Sequence, residues 1–129
     1  MAKTRRPLKP EEIESFKREI LRQREELWNQ VKQDLIERVG EEYQDLINTV
    51  KDEEELAQID LNEETVLGVL EARKNELEAM SQALWRIEHG EFGKCLECGQ
   101  WICLERLKVR PWAVFCLECK EKMEKIQRV

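Results

Sequence analysis

A chain of 129 residues that is 39% charged and 41% apolar is too polar to enclose one large core, so one or two small domains on a helical frame are expected. No stretch approaches the roughly 18 uncharged apolar residues of a membrane span, and the start, Met1-Ala2-Lys3-Thr4-Arg5-Arg6-Pro7, lacks the apolar core of a secretory signal. Both absences argue against a membrane role and point to the cytoplasm, where thiols stay reduced and paired Cys-x-x-Cys clips bind metal or do redox work more often than they form disulfides.

The formal charge of −6 is unevenly spread. Residues 1–40 carry net +2, residues 65–129 net +1, and residues 41–64, with one basic and ten acidic side chains, net −9. So dense a run of like charge repels itself and argues against binding nucleic acid there.

In chain order, residues 1–10 hold Pro7, Pro10 and four basic side chains with little to bury, and are expected to form a mobile arm. A first helix is predicted from just after Pro10. Glu11, Glu12 and Glu14 suit its positive end, and Ile13, Phe16, Ile20, Leu27, Val31, Leu35 and Val39 recur at helical spacing. Gly40 either ends or bends that helix, after which Tyr43, Leu46, Ile47 and Val50 continue a weaker helical pattern into the acidic run. A second long helix follows from Val66, Leu70, Arg73, Leu77, Met80, Leu84 and Ile87, an alternation of four and three that marks a coiled-coil seam broken only by Arg73. His89-Gly90 stops it. Two periodic segments of matching length are expected to pair antiparallel, as a hairpin over residues 11–90 with its acidic tip near 41–64 and a rod about 36 Å long at 1.5 Å per residue.

Cys95, Cys98, Cys116 and Cys119 form C-x2-C-x17-C-x2-C. Two such clips complete four-coordination of one zinc ion at about 2.3 Å and leave no position for water or substrate, so the site is structural. Gly99 suits the turn after the first clip. Residues 91–129 are thus read as a small four-cysteine zinc finger ending in a short helix over Glu118 to Arg128, too small to fold without its metal. Trp85, Trp101, Trp112 and Phe115 are assigned to its core rather than to a base-stacking surface. Cys103 is taken as a semi-buried apolar residue, and His89, with no nucleophile nearby in sequence, as a helix-end residue, so no enzymatic activity is expected.

Through Glu91-Phe92-Gly93, Cys95, Cys98-Gly99, Ile102, Arg106-Leu107, Arg110-Pro111, Ala113, Cys116, Cys119 and Lys120, the zinc region resembles that of the DksA/TraR proteins, bacterial transcription factors that bind RNA polymerase. Counted back from Cys95 without a gap, the tip motif of that family, Asp-x-x-Asp-x-Ala, falls on Asp52, Glu55 and Ala57, so the second acid is longer by a methylene. The resemblance implies a mainly α fold, a long antiparallel coiled-coil hairpin on a four-cysteine zinc base, and insertion of the tip into the secondary channel of RNA polymerase near the catalytic magnesium. It implies no sequence-specific DNA contact. Arg106, Arg110 and Lys120 become candidate contacts with polymerase or with guanosine tetraphosphate, the alarmone of the stringent response, whereas Ala72 and Ala79 stand where basic residues hold that nucleotide in other members. A short insertion relative to long-hairpin members falls near Gly40. Two alternatives remain: a transcript-cleavage factor using Asp52, Glu53, Glu54 and Glu55 to recruit magnesium, and a zinc-capped helical adaptor whose partner is not polymerase.

Overall fold

The computed structural model describes residues 5–127, so Met1–Thr4 of the expected arm and Arg128 of the expected last helix lie outside the described residues. Six α-helices are present among them: α1 (Pro10–Val39), α2 (Gln44–Asn48), α3 (Glu53–Ala57), α4 (Glu63–Glu88), α5 (Leu104–Val109) and α6 (Leu117–Gln127), with a 3-10 turn at Glu41–Tyr43. The extended pairing among the described residues is a single bridge between Lys94 and Trp101. The fold is mainly α. It divides into two compact units, one of Gln23–Leu77 and one of Met1–Arg22 with Glu78–Val129.

In the Gln23–Leu77 unit, the predicted periodicity becomes burial. Val31, Leu35 and Ile36 of α1 share a core with Val66 and Val69 of α4, closed by Ile47, Val50 and Leu56 from the connecting segment. Arg38 lies 3.7 Å from the position a Cβ on Gly68 would take, and Asp34 pairs with Arg73 at 3.9 Å. As one helix runs back the other runs forward, so the pairing is antiparallel. Arg73, the polar break in the seam, is thereby the residue that meets a charge across it. A single polar position of this kind fixes register more than it adds stability.

At Gly40 the helix breaks. A φ of 108° is open to glycine and closed to most side chains, and the Gly40 N–H still bonds the Ile36 carbonyl at 2.9 Å as the chain turns away. The segment that follows is held by three devices. Trp28 Nε1 and Lys32 Nζ both donate to the Val50 carbonyl, each at 3.3 Å. Asp52 caps α3, its Oδ1 accepting from the Glu55 N–H at 2.8 Å, while Glu55 Oε2 reaches back to the Lys51 N–H at 2.9 Å. Leu56 is buried at the foot of the turn. Asn62 then caps α4 through the Thr65 N–H at 3.0 Å.

In the other unit, Ile20, Met80, Ala83, Phe92, Ile102, Leu107, Pro111 and Ala113 are buried. The core assigned from the sequence requires correction. Trp85 is exposed, and Trp101, Trp112 and Phe115 are half-buried. Trp85 follows the seam position Leu84 and is therefore turned about 100° away from it; the smaller Phe92, Ile102 and Leu107 fill the interior instead, with Phe16 of α1 packing its ring on Phe92 at 5.9 Å. Residues ahead of α1 make specific contacts for which the sequence carries no signal. Leu8 lies against Gly93, 3.3 Å from where a Cβ would stand, and Arg5 donates to Gln100 and Glu118 at 3.4 and 3.3 Å. Arg6 grips Glu12 through both oxygens at 2.7 and 2.9 Å. With the Lys9 N–H as a second donor, this pairing holds the Glu12 carboxyl down at about 2 and starts α1.

Candidate metal centre

Each knuckle is a backbone device that turns a Cys-x-x-Cys segment inward. In the first, the Gly99 N–H returns to the Cys95 carbonyl at 3.0 Å with Gly99 at φ 74°, and the Cys95 N–H bonds the Gln100 carbonyl at 2.8 Å. In the second, Cys116 stands immediately before α6 and Cys119 falls in its first turn, with the Lys120 N–H on the Cys116 carbonyl at 3.0 Å. The Leu96 N–H donates to the Val114 carbonyl at 2.8 Å and ties one knuckle to the other. Arg106, a candidate contact from the resemblance, spends its Nε on the Phe115 carbonyl at 3.0 Å. Arg110 is exposed and Lys120 half-buried.

These turns bring the four predicted cysteines together, their sulfurs all within 4.8 Å of one another. Cys98 Sγ and Cys116 Sγ are 3.9 Å apart, close to the edge of about 3.8 Å that a tetrahedron with Zn–S of about 2.3 Å requires. All five cysteines are free thiols, and Cys103, buried, stands outside the cluster. Burial opposes ionisation of Cys95, yet the N–H groups of Cys98, Cys116 and Glu97 directed at its sulfur bring it down to about 6. Cys119 is pushed up to about 12, first by the neighbouring Cys116 thiol and then by burial. A divalent ion would offset the cost of gathering four thiolates in so small a space. The donor set, spacing and size fit zinc, and the closed, four-sulfur geometry makes it structural.

A zinc ion with four thiolates carries two surplus negative charges. Arg86, which the sequence reading passed over, lies beside them. It is 6% exposed, its Nη2 donates to the carbonyl of Lys94, next to Cys95, and its Nε is buried without a partner. Burial lowers its pKa against the Glu91 carboxylate and the Cys95 thiol, which favour the cation. Its place beside seam position Ile87 does not single it out, since Glu76, Glu78 and Glu88 also adjoin seam positions and are exposed. Outer groups of this kind typically change metal affinity about 10- to 100-fold. Arg86→Met, which keeps the stem but not the charge, is expected to lose zinc to a competing chelator in that range, with Arg86→Lys recovering part of the loss. Equal zinc retention by all three proteins would show that Arg86 serves packing alone.

Fold and site together define a helical protein carrying a four-cysteine zinc finger. Residues 90–125 match the prokaryotic dksA/traR C4-type zinc finger family. The structure is similar to transcription factor DksA2 from Pseudomonas aeruginosa, with a TM-score of 0.63 and 34% identity covering 93% of this chain and 88% of that one. The RNA polymerase-binding transcription factor DksA of Caulobacter vibrioides is 28% identical over 120 residues, which are 92% of this chain and 80% of that protein. The regulator Dks of Chlamydia trachomatis L2 shares the fold, with a TM-score of 0.56, 24% identity and coverage of 92% and 94%. The chain belongs to the DksA/TraR family.

Proposed function

We propose that this protein regulates transcription by binding RNA polymerase, with residues 41–64 entering the secondary channel and Asp52 and Glu55 acting close to the catalytic magnesium. The Caulobacter relative is by name an RNA polymerase-binding factor, and the likeness extends over nearly the whole chain. The observation that carries the proposal is the α3 turn. Asp52, Glu53, Glu54 and Glu55 are exposed on a five-residue helix whose Leu56 is buried, in the segment that holds net −9. Such a turn presents concentrated negative charge from a fixed foothold, the sign needed to approach a metal ion and basic walls. The same sign opposes binding to DNA phosphates.

Asp52 and Glu55 each commit one oxygen to the backbone and keep the other, so the regulator reading rests on the relatives, and stimulated RNA shortening in a stalled elongation complex is the result that would favour a cleavage factor instead. Ala57, the third tip position, is exposed and available to a partner. Guanosine tetraphosphate, if shared with polymerase, would draw on Arg110 and Lys120 without charges at Ala72 and Ala79.

Asn caps a helix about as well as Asp, so Asp52→Asn removes the charge and keeps the turn. The expected result is loss of the effect on promoter-complex lifetime, with affinity for polymerase within about twofold, as for a surface change. Displacement of a known secondary-channel factor by the wild-type protein tests the location. Failure to compete, or full regulation by Asp52→Asn, would remove the proposal.

A further inference from the structure

Trp85 and Leu96 are 53% and 52% exposed, although the module around them has few large apolar residues to spare. They line one cleft of about 260 Å3 together with Gln82, Arg86 and Glu91. Trp85 is not loose. Its ring is stacked on that of His89 with centroids 3.8 Å apart and planes 16° from parallel, and His89 Nδ1 donates to the Trp85 carbonyl at 2.7 Å. His89 is thus a bracket behind one face of the indole, and the exposure falls on the rest of the ring. An aromatic group fixed in advance and left uncovered is what a docking point requires, because little rotamer freedom remains to be lost on binding.

Size and charge select the occupant. Sites for cofactors and other small molecules run from about 300 to 1,000 Å3; at about 260 Å3 this cleft lies at the lower edge of that range and has room for a long side chain. Its accessible charge is acidic: Glu91 lines it and is exposed. Of the two nearby cations, Arg86 lines the cleft and has its charge favoured by Glu91, but it is buried with Nη2 on the Lys94 carbonyl, and Lys94 Nζ is placed over Trp101 at 5.2 Å from the ring centre, so the charge an incoming group meets at the exposed rim is that of Glu91. An apolar floor with an acid at its rim fits a side chain with a methylene stem and a cationic head. A guanidinium stacks on an indole face better than an ammonium does.

We infer that the Trp85–Leu96 cleft is a docking point for an arginine side chain presented by a partner polypeptide. Its stem lies along Trp85 and Leu96, its head over the indole and towards Glu91. The inference stands apart from the polymerase proposal and is tested without polymerase.

The test is a titration of the zinc-loaded, isotope-labelled full chain, followed by NMR, with N-acetyl-arginine methylamide and with N-acetyl-norleucine methylamide, which has an uncharged stem. The arginine compound is expected to shift the Trp85 indole N–H saturably and to bind about threefold more tightly than the norleucine compound. Trp85→Ala, at an exposed position, should abolish the saturable shifts of the Glu91 and Leu96 amides that accompany binding to the unchanged chain, and Glu91→Gln should remove the preference. Equal binding of both compounds, a preference that survives Glu91→Gln, or no saturable shift would each overturn the inference. A Trp85 signal that moves with protein concentration alone would assign the cleft to a second copy of the chain and overturn it equally.

Discussion

Cys116→Ser is expected to unfold the unit that contains the zinc site while leaving most of Gln23–Leu77 folded. Cys116 is buried, its sulfur is 3.9 Å from that of Cys98, and its carbonyl receives the Lys120 N–H at the start of α6. Loss of this one thiolate therefore removes a ligand and leaves a buried hydroxyl where the cage expects an anion. Structural zinc supplies about 10–16 kcal/mol in small zinc-finger peptides, comparable to or above the whole stability of an ordinary domain, about 5–15 kcal/mol. The buried side chains around the knuckles do not replace a contribution of that size. The core of Val31, Leu35, Ile47, Leu56, Val66 and Val69 contains no metal ligand and has its own closure. Hydrogen exchange should show loss of protection at residues 91–127, with amides of residues 30–36 and 65–70 still protected. Zinc removal by a strong chelator should reproduce the pattern. Native protection throughout, in either experiment, would contradict a folding role for the metal.

The parts of this protein that were legible in its sequence are those set by short-range spacing. The cysteine clips state their own geometry, and the sulfurs converge as the spacing requires. None of the seven seam residues from Val66 to Ile87 is exposed, because a four-three alternation has one face wherever the helix packs. Gly40 announced an interruption without saying which kind. A break and a bend begin from the same residue, and only the φ of 108° decides between them. What the pattern could not show depends on residues distant in sequence. Arg86 is buried because a knuckle carbonyl and a thiol meet it. Leu8 is packed because Gly93 leaves room for it. Trp85 is exposed despite its bulk and aromaticity because its angular position points away from the seam. The exposed acids of α3 were visible as charge, but their capping roles were not. Glu55, read as a lengthened aspartate, uses that length to reach the Lys51 N–H.

Leu56→Ala should show how the acidic turn is held. Helices of fewer than about 12 residues are marginal in water, and α3 has five, so it persists through its Asp52 cap and one buried side chain. Leu56 is 1% exposed and joins the core shared by α1, α2 and α4. Truncation removes that anchor and opens a cavity in that core, at a cost of about 2–5 kcal/mol. Two consequences are separable. Chemical denaturation should show a lowered midpoint for the Gln23–Leu77 unit, while zinc content stays at one ion per chain. Exchange at Glu55 and Leu56 amides should rise further than the global loss explains, since the cap bond from Glu55 to Asp52 depends on the turn being docked. Set beside Asp52→Asn, the pair divides geometry from charge: one variant keeps four acids on an unanchored loop, the other keeps the anchor and neutralises a cap. If regulation needs the acids at fixed positions, both lose it, and only Leu56→Ala also loses stability. A Leu56→Ala protein with an unshifted midpoint would mean that the cap alone holds α3, and the buried leucine would no longer explain how so short a helix carries so much charge.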